Sequence, residues 1–275
     1  MTSRQLLPAA LLILSALSLC AHDDLDGQIA EASAAIAREP ENAGLLLRRA
    51  ELHRLHGDQQ RALADVTRAQ ALGTLASGID RQLARILMDQ SDYHGAYQAL
   101  TRHLADCPHD GDARSLRATC AQQLGDPATA LSDLEAALAL LHRPDPDLRC
   151  QFADLLHVAG RSTEAIDRLD TAIAQDGAIP AYIDKALQIE RACQRFTAVL
   201  TRLERLAKST GQARWLVERG DLLAELGRTD EARAAYQAAA TSMATLPPAR
   251  RTVAANTALL IRIESALATT RTTGP

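Results

Sequence analysis

DLLAELGRTDEARAAYQAAA, residues 221–240, sets its smallest side chains among bulky ones at regular intervals. Gly220 stands just before the stretch, Gly227-Arg228 divides it, and Ala232 and Ala239 follow among Tyr236 and further alanines. A glycine directly after a run of helical apolar spacing marks the end of a helix, because it takes the left-handed conformation that closes the last turn. The stretch therefore reads as the end of one helix, a tight turn and a second helix. Gly220 and Ala232 lie on either side of the turn, where two antiparallel helices would cross. A residue with at most a methyl group lets the backbones approach there, and bulky neighbours one turn away fill the surrounding grooves.

The same layout recurs along the chain. Ala62, Ala96 and Ala130 are spaced by 34 residues, and Ala165, Val199 and Ala232 continue the series with steps of 35, 34 and 33. Twelve residues before them stand Ala50, Ala84, Ala118, Ala153, Leu187 and Gly220. One helical turn after them stand Val66, Leu100, Leu134, Leu169, Leu203 and Tyr236. Between the two small positions come Gly57-Asp58, Ser91-Asp92, Gly125-Asp126, Gly160-Arg161 and Gly227-Arg228, each a helix stop followed by a helix start. A fixed period of this length identifies one helix pair as the repeating unit.

Small residues at the eighth and twentieth positions, a bulky one at the twenty-fourth and proline at the close (Pro108, with Pro40 after a half unit) make residues 25–246 resemble the tetratricopeptide repeat family. That resemblance implies an all-α fold, an α-solenoid of six helix pairs wound in a right-handed superhelix. The units are 43–76, 77–110, 111–144, 146–179, 180–212 and 213–246. A helix pair cannot bury its apolar face alone, so the array needs a cap at each end. Residues 22–42 are expected to form the front cap. Residues 247–268 are expected to form the rear one, through a stripe of Val253, Leu260 and Leu267, followed by a disordered tail at 269–275. The fifth unit departs from the pattern: Leu187, Gln194 and Val199 replace small residues, so a wider crossing is expected there.

Composition narrows the function. Of 275 residues, 47% are apolar, 23% charged and only 3% aromatic, which suits a globular chain built on shallow helix contacts. The formal charge of −4 makes nucleic acid a poor partner. Residues 1–21 carry Arg4, a mainly apolar run from Leu6 to Leu19 and Cys20-Ala21, the parts of a secretory signal and too short for a membrane span. Export to the bacterial periplasm is the expectation. Leu17-Ser18-Leu19-Cys20 also resembles a lipobox, giving lipid anchoring at Cys20 as the alternative. Cys107, Cys120, Cys150 and Cys193 show no CxxC spacing and read as small buried residues.

Phosphate-loop, GxSxG and HExxH patterns are all missing, so neither enzyme activity nor a cofactor is expected. The resemblance implies instead a protein-binding scaffold of the cell envelope, with a protein or extended peptide held along the concave side by the first helix of each pair. The matching positions place Arg48, Glu51, Arg54, Arg81, Gln82 and Arg85 in a mainly basic front. Ser115, Thr119 and Gln122 follow, then a more acidic rear with Asp154, His157, Asp184, Lys185, Gln188, Arg191, Glu218 and Asp221. Leu47 and Glu51 occupy the positions where the chaperone-tail-binding branch carries Lys and Asn, so that carboxylate clamp is not expected. A second reading is a periplasmic copper or zinc protein. Cleavage after Ala21 would expose His22 and Asp24, and a hairpin near Pro40 would bring them toward His53 and His56.

Overall fold

The computed structural model describes residues 24–73 and 78–272. Among them are fifteen helices and no strand, as the repeat pattern requires. The chain divides into two compact units, the first running to Leu148 and the second starting at Arg149.

In the first unit, α1 (residues 24–38) precedes three helix pairs. These are α2 (Ala43–Leu55) with α3 (Gln59–Ala71), α4 (Ile79–Asp89) with α5 (Tyr93–Asp106), and α6 (Gly111–Gln123) with α7 (Pro127–Leu140). The second helix of each pair starts on an aspartate. Asp58, Asp92 and Asp126 accept hydrogen bonds from the backbone N–H groups of Arg61, Gly95 and Thr129, satisfying donors that the helix itself leaves free. Gly57 ends α2 at φ 87°, the left-handed region that a Cβ disfavours. Ser91 takes the equivalent conformation after α4 at φ 62°.

The second unit holds α8 (Pro146–Val158), whose first turn precedes the division at Arg149, with α9 (Ser162–Asp176). Then come α10 (Pro180–Ala192) with α11 (Phe196–Thr210), and α12 (Ala213–Glu225) with α13 (Thr229–Ala244). The short α14 (Pro248–Arg251) and the longer α15 (Ala254–Thr272) close it.

The periodic small residues sit where the sequence places them. Ala50, Ala62, Ala84, Ala96, Ala118, Ala130, Ala153, Ala165 and Ala232 all have no exposed surface. The bulky residues one turn on, from Val66 to Tyr236, are buried beside them. At Gly220 the approach is closest: a Cβ built there would lie 2.6 Å from Cε1 of Tyr236. The small residue is thus a steric requirement of the α12–α13 crossing.

Two expectations change at the rear. The cap is two helices, and Val253 lies outside α15 and is 52% exposed. Ile263 is the buried centre of the cap, with Leu259, Leu260, Ala266 and Leu267 packed around it, because an α-helix returns to the same face at three- and four-residue steps rather than sevens alone. Helical structure also continues through Thr272, past the expected start of a disordered tail at 269.

Candidate functional site

The first helices carry the residues the repeat register assigns to the binding face, and the structure ties most of them into ion pairs between successive pairs. In the first unit, Arg54 donates to Glu51 from Nε at 2.8 Å and Nη2 at 2.9 Å, and to Asp89 from Nη1 at 2.8 Å. Gln82 of α4 donates to the same Glu51 at 2.6 Å, and Arg85 stands 3.5 Å from it. Burial pushes the Glu51 carboxyl up, but the hydrogen bonds from Arg54 and Gln82 and the nearby cations outweigh it and hold the group below its ordinary value.

Arg81 donates to Asp110 at 2.9 Å. Asp110 caps α6 by accepting the N–H of Ala113, and the buried His103 ring places Nε2 2.8 Å from it. Burial opposes these contacts without overcoming them, so the Asp110 carboxyl is also held low. Arg48 is exposed and forms no ion pair among the described residues. Thr119 donates to the Ser115 carbonyl at 3.2 Å, and Gln122 is exposed. The basic front expected from sequence is therefore largely neutralised, by Glu51 of the same register set and by Asp89 and Asp110, which the register did not assign to it.

The same bridging continues in the second unit. Lys185 donates to Asp154 at 2.7 Å, Arg214 to Asp184 at 2.9 Å, and Arg191 stands 3.5 Å from Glu225. Asp221 accepts from the Tyr236 hydroxyl at 2.8 Å and from Arg262 of α15. Burial pushes the Glu218 carboxyl above its ordinary value; Arg214 opposes this and Asp184 adds to it. His157 Nδ1 lies 2.8 Å from the Ser162 hydroxyl, at the turn of its pair, and Gln188 is exposed.

A second set of polar links lies inside the pairs and was not foreseen. Arg49 meets Asp65 with two hydrogen bonds of 2.7 and 2.6 Å, and Arg117 meets Asp133 with two of 2.7 Å. Each arginine also reaches back to a hydroxyl of the preceding second helix, Ser33 at 3.0 Å and Thr101 at 3.5 Å. The signal was present: an arginine just before the first small residue and an aspartate sixteen later, one turn beyond the second. In the fifth pair Arg202 takes over this role, lying between Glu190 at 2.8 Å and Asp170 at 2.5 Å.

The residues of the metal reading do not converge. His22 lies outside the described residues. Asp24 accepts from Gln28 at 2.9 Å, while His56 sits 3.3 Å from Asp26, so the start of α1 does reach the end of α2, but through a different carboxylate. His53 is buried at 5% exposure. Among the described residues, no group of three His, Cys, Asp or Glu side chains is arranged to hold a metal ion. No helix among them is long and apolar enough to cross a membrane.

Paired helices meeting at periodic small residues define a helix-pair repeat protein. The tetratricopeptide repeat family model matches residues 81–148 and 192–247. Over those two stretches the chain is similar to tetratricopeptide repeats. Solved structures share the fold at low identity. The C-terminal part of a repeat-containing protein from Cytophaga hutchinsonii aligns with a TM-score of 0.63 at 14% identity, covering 81% of this chain and 92% of that one. A tetratricopeptide repeat protein from Parabacteroides merdae gives 0.54 at 18%, covering 94% and 97%. PilF of Pseudomonas aeruginosa gives 0.56 at 18%, covering 71% and 89%. The curated proteins contain no match to the sequence.

Proposed function

We propose that this chain is a non-enzymatic interaction scaffold of the bacterial cell envelope, holding a protein or an extended peptide against the face formed by its first helices. The observation that carries this reading is the run of polar side chains on the first helices of each compact unit, which line up by repeat register and bridge from one pair to the next within that unit. Each such row offers donors and acceptors suited to an extended backbone and its side chains. Because most of the cations are already paired, recognition rests on pattern more than on net charge. Residues 1–21, with their secretory pattern, support export, with lipidation of Cys20 as the variant of that route.

The test is capture from envelope extract by the intact chain and by a variant carrying Arg48→Glu and Gln188→Glu, both exposed and outside the intramolecular bridges. Loss of specific partners with an unchanged thermal midpoint is expected. Identical partner sets would count against the first-helix face. Mass spectrometry of the mature amino terminus addresses location: His22 as first residue or a lipidated Cys20 fits export, and an intact leader does not.

A further inference from the structure

Large apolar side chains that stand exposed are unevenly placed. Leu55, Leu124, Leu140, Val158 and Leu226 each lie at the C-terminal end of a helix, beside the turn that follows. The rear cap differs. Ile261 is 63% exposed in the middle of α15, and Val253, just before that helix, is 52% exposed. Ile263 faces the core with Leu259, Leu260, Ala266 and Leu267 around it. A second stripe points outward: Ala254, Ala258, Ile261, Ser265 and Ala268 are all exposed and recur every three or four residues. Residues 247–255 are exposed without a break, through α14 to the start of α15. Capping the array accounts for the inner stripe and leaves the outer one without a role.

The charge of this cap runs against that of the whole chain. Residues 247–272 hold four arginines and one acidic residue, Glu264, in a protein whose formal charge is −4. Arg262 is engaged by Asp221. Arg250 and Arg251 are exposed in the short helix before Val253 and form no ion pair among the described residues. Arg54, Arg81, Arg117 and Arg214, by contrast, each bridge to a carboxylate.

A second copy of the chain packed on this end would set the same two arginines near each other, and like charges repel. An anionic lipid surface meets both features. It takes up apolar side chains at the acyl boundary, attracts cations at the level of the headgroups and asks for no matching shape. We infer that the outer side of the rear cap docks on an anionic phospholipid surface, with Val253 and Ile261 entering the acyl boundary and Arg250 and Arg251 meeting the headgroup phosphates. Two large apolar side chains and two free cations make the attachment weak and reversible. It uses no residue assigned to the first-helix face, so either can fail without the other.

The experiment measures co-sedimentation of the full chain with vesicles of equal parts phosphatidylcholine and phosphatidylglycerol, and with vesicles of phosphatidylcholine alone. Because residues 1–21 are themselves mainly apolar, the readout is the change that substitutions in the cap produce within the same chain. Each cation near an anionic surface contributes a factor of about five, so Arg250→Gln/Arg251→Gln should weaken binding to the mixed vesicles at least ~10-fold. Ile261→Gln should weaken it at least ~3-fold through lost apolar burial. Arg143→Gln/Arg205→Gln, which removes two exposed arginines away from the cap, should stay within about two-fold of the parent at ~0.15 M ionic strength. All five substituted side chains are exposed, so the thermal midpoints should not move. Parent affinity in either cap variant, or an equal loss in Arg143→Gln/Arg205→Gln, would overturn the inference. So would concentration-dependent dimers that Ile261→Gln abolishes, since they would give the face to a second copy.

Discussion

The fifth and sixth helix pairs are neighbours in one compact unit and solve the same packing problem by opposite means. In the sixth, Gly220 and Ala232 let α12 and α13 approach until the Tyr236 ring lies against the glycine. In the fifth, Leu187 and Val199 stand at those positions, buried at 6% and 0% exposure, and α10 and α11 are less closely apposed. The space between them is filled by branched side chains and by Arg202 with Glu190, both almost fully buried. The turn differs too: Gly227 takes φ 73° in the sixth pair, whereas Gln194 is forced to φ 56° in the fifth. Close contact between backbones is thus one way to build this repeat, and a wider crossing held by ions is another.

The largest effect should come from breaking the ionic filling. Glu190→Leu leaves Arg202 with the half-exposed Asp170 alone and is expected to cost about 3 to 5 kcal/mol in chemical denaturation. The double change Glu190→Leu/Arg202→Met should recover most of that loss, since a well-packed apolar pair avoids the desolvation of two charges. Failure of the double variant to recover would mean that the ion pair also fixes the position of α11.

A moderate effect is expected in the other pair. Gly220→Ala puts a Cβ against the Tyr236 ring and should lower stability by roughly 1 to 3 kcal/mol through overpacking. A thermal melt unchanged by this substitution would remove the contrast between the two crossings. Smaller still, Gln194→Gly should raise stability by about 1 kcal/mol, because glycine reaches the left-handed conformation without the cost a side chain brings. The reverse change at the sixth turn, Gly227→Gln, should lose a similar amount.

The last comparison is read from the alkaline side. Burial and the hydrogen bond to Asp176 push Tyr182 up to about 12, and burial with Asp221 pushes Tyr236 higher than that. An unfolded tyrosine ionises near pH 10, so the folded state retains these protons more tightly. Their contribution to stability is therefore full below about pH 10 and is lost as pH rises through the folded values. Tyr182→Phe and Tyr236→Phe should each lower the thermal midpoint at pH 7, where the hydrogen bond to Asp176 or Asp221 is intact, and flatten its fall in alkali. A fall as steep as that of the parent would detach these hydroxyls from stability.

The spacing of small residues exposed the architecture because size is a local property that a crossing reads directly. Ala62, Ala96 and Ala130 could be placed without knowing anything beyond their own repeats. The same reasoning located the fifth pair as irregular from Leu187, Gln194 and Val199. It misplaced the rear cap at Val253, since a heptad spacing shares a stripe with other apolar residues and does not say which of them faces inward. Polar pairing was much less legible. Whether Arg81 is a bare cation or the partner of Asp110 depends on two side-chain rotamers and on the offset between successive pairs, which no composition of one helix encodes. Register placed these residues on the first helices, and it did not reveal their mutual neutralisation. Arg49 and Asp65 did leave a trace in sequence, a sixteen-residue interval repeated at Arg117 and Asp133, which becomes readable once the crossing geometry is known.

The forward-reaching bridges on the first helices have an evolutionary corollary. Glu51 is addressed to Gln82 and Arg85, and a gene that lost residues 77–110 would set it opposite Leu116 and Thr119 instead. Shuffling, duplicating or excising a module would preserve the scaffold and scramble its wiring, so the order of the modules is itself inherited information.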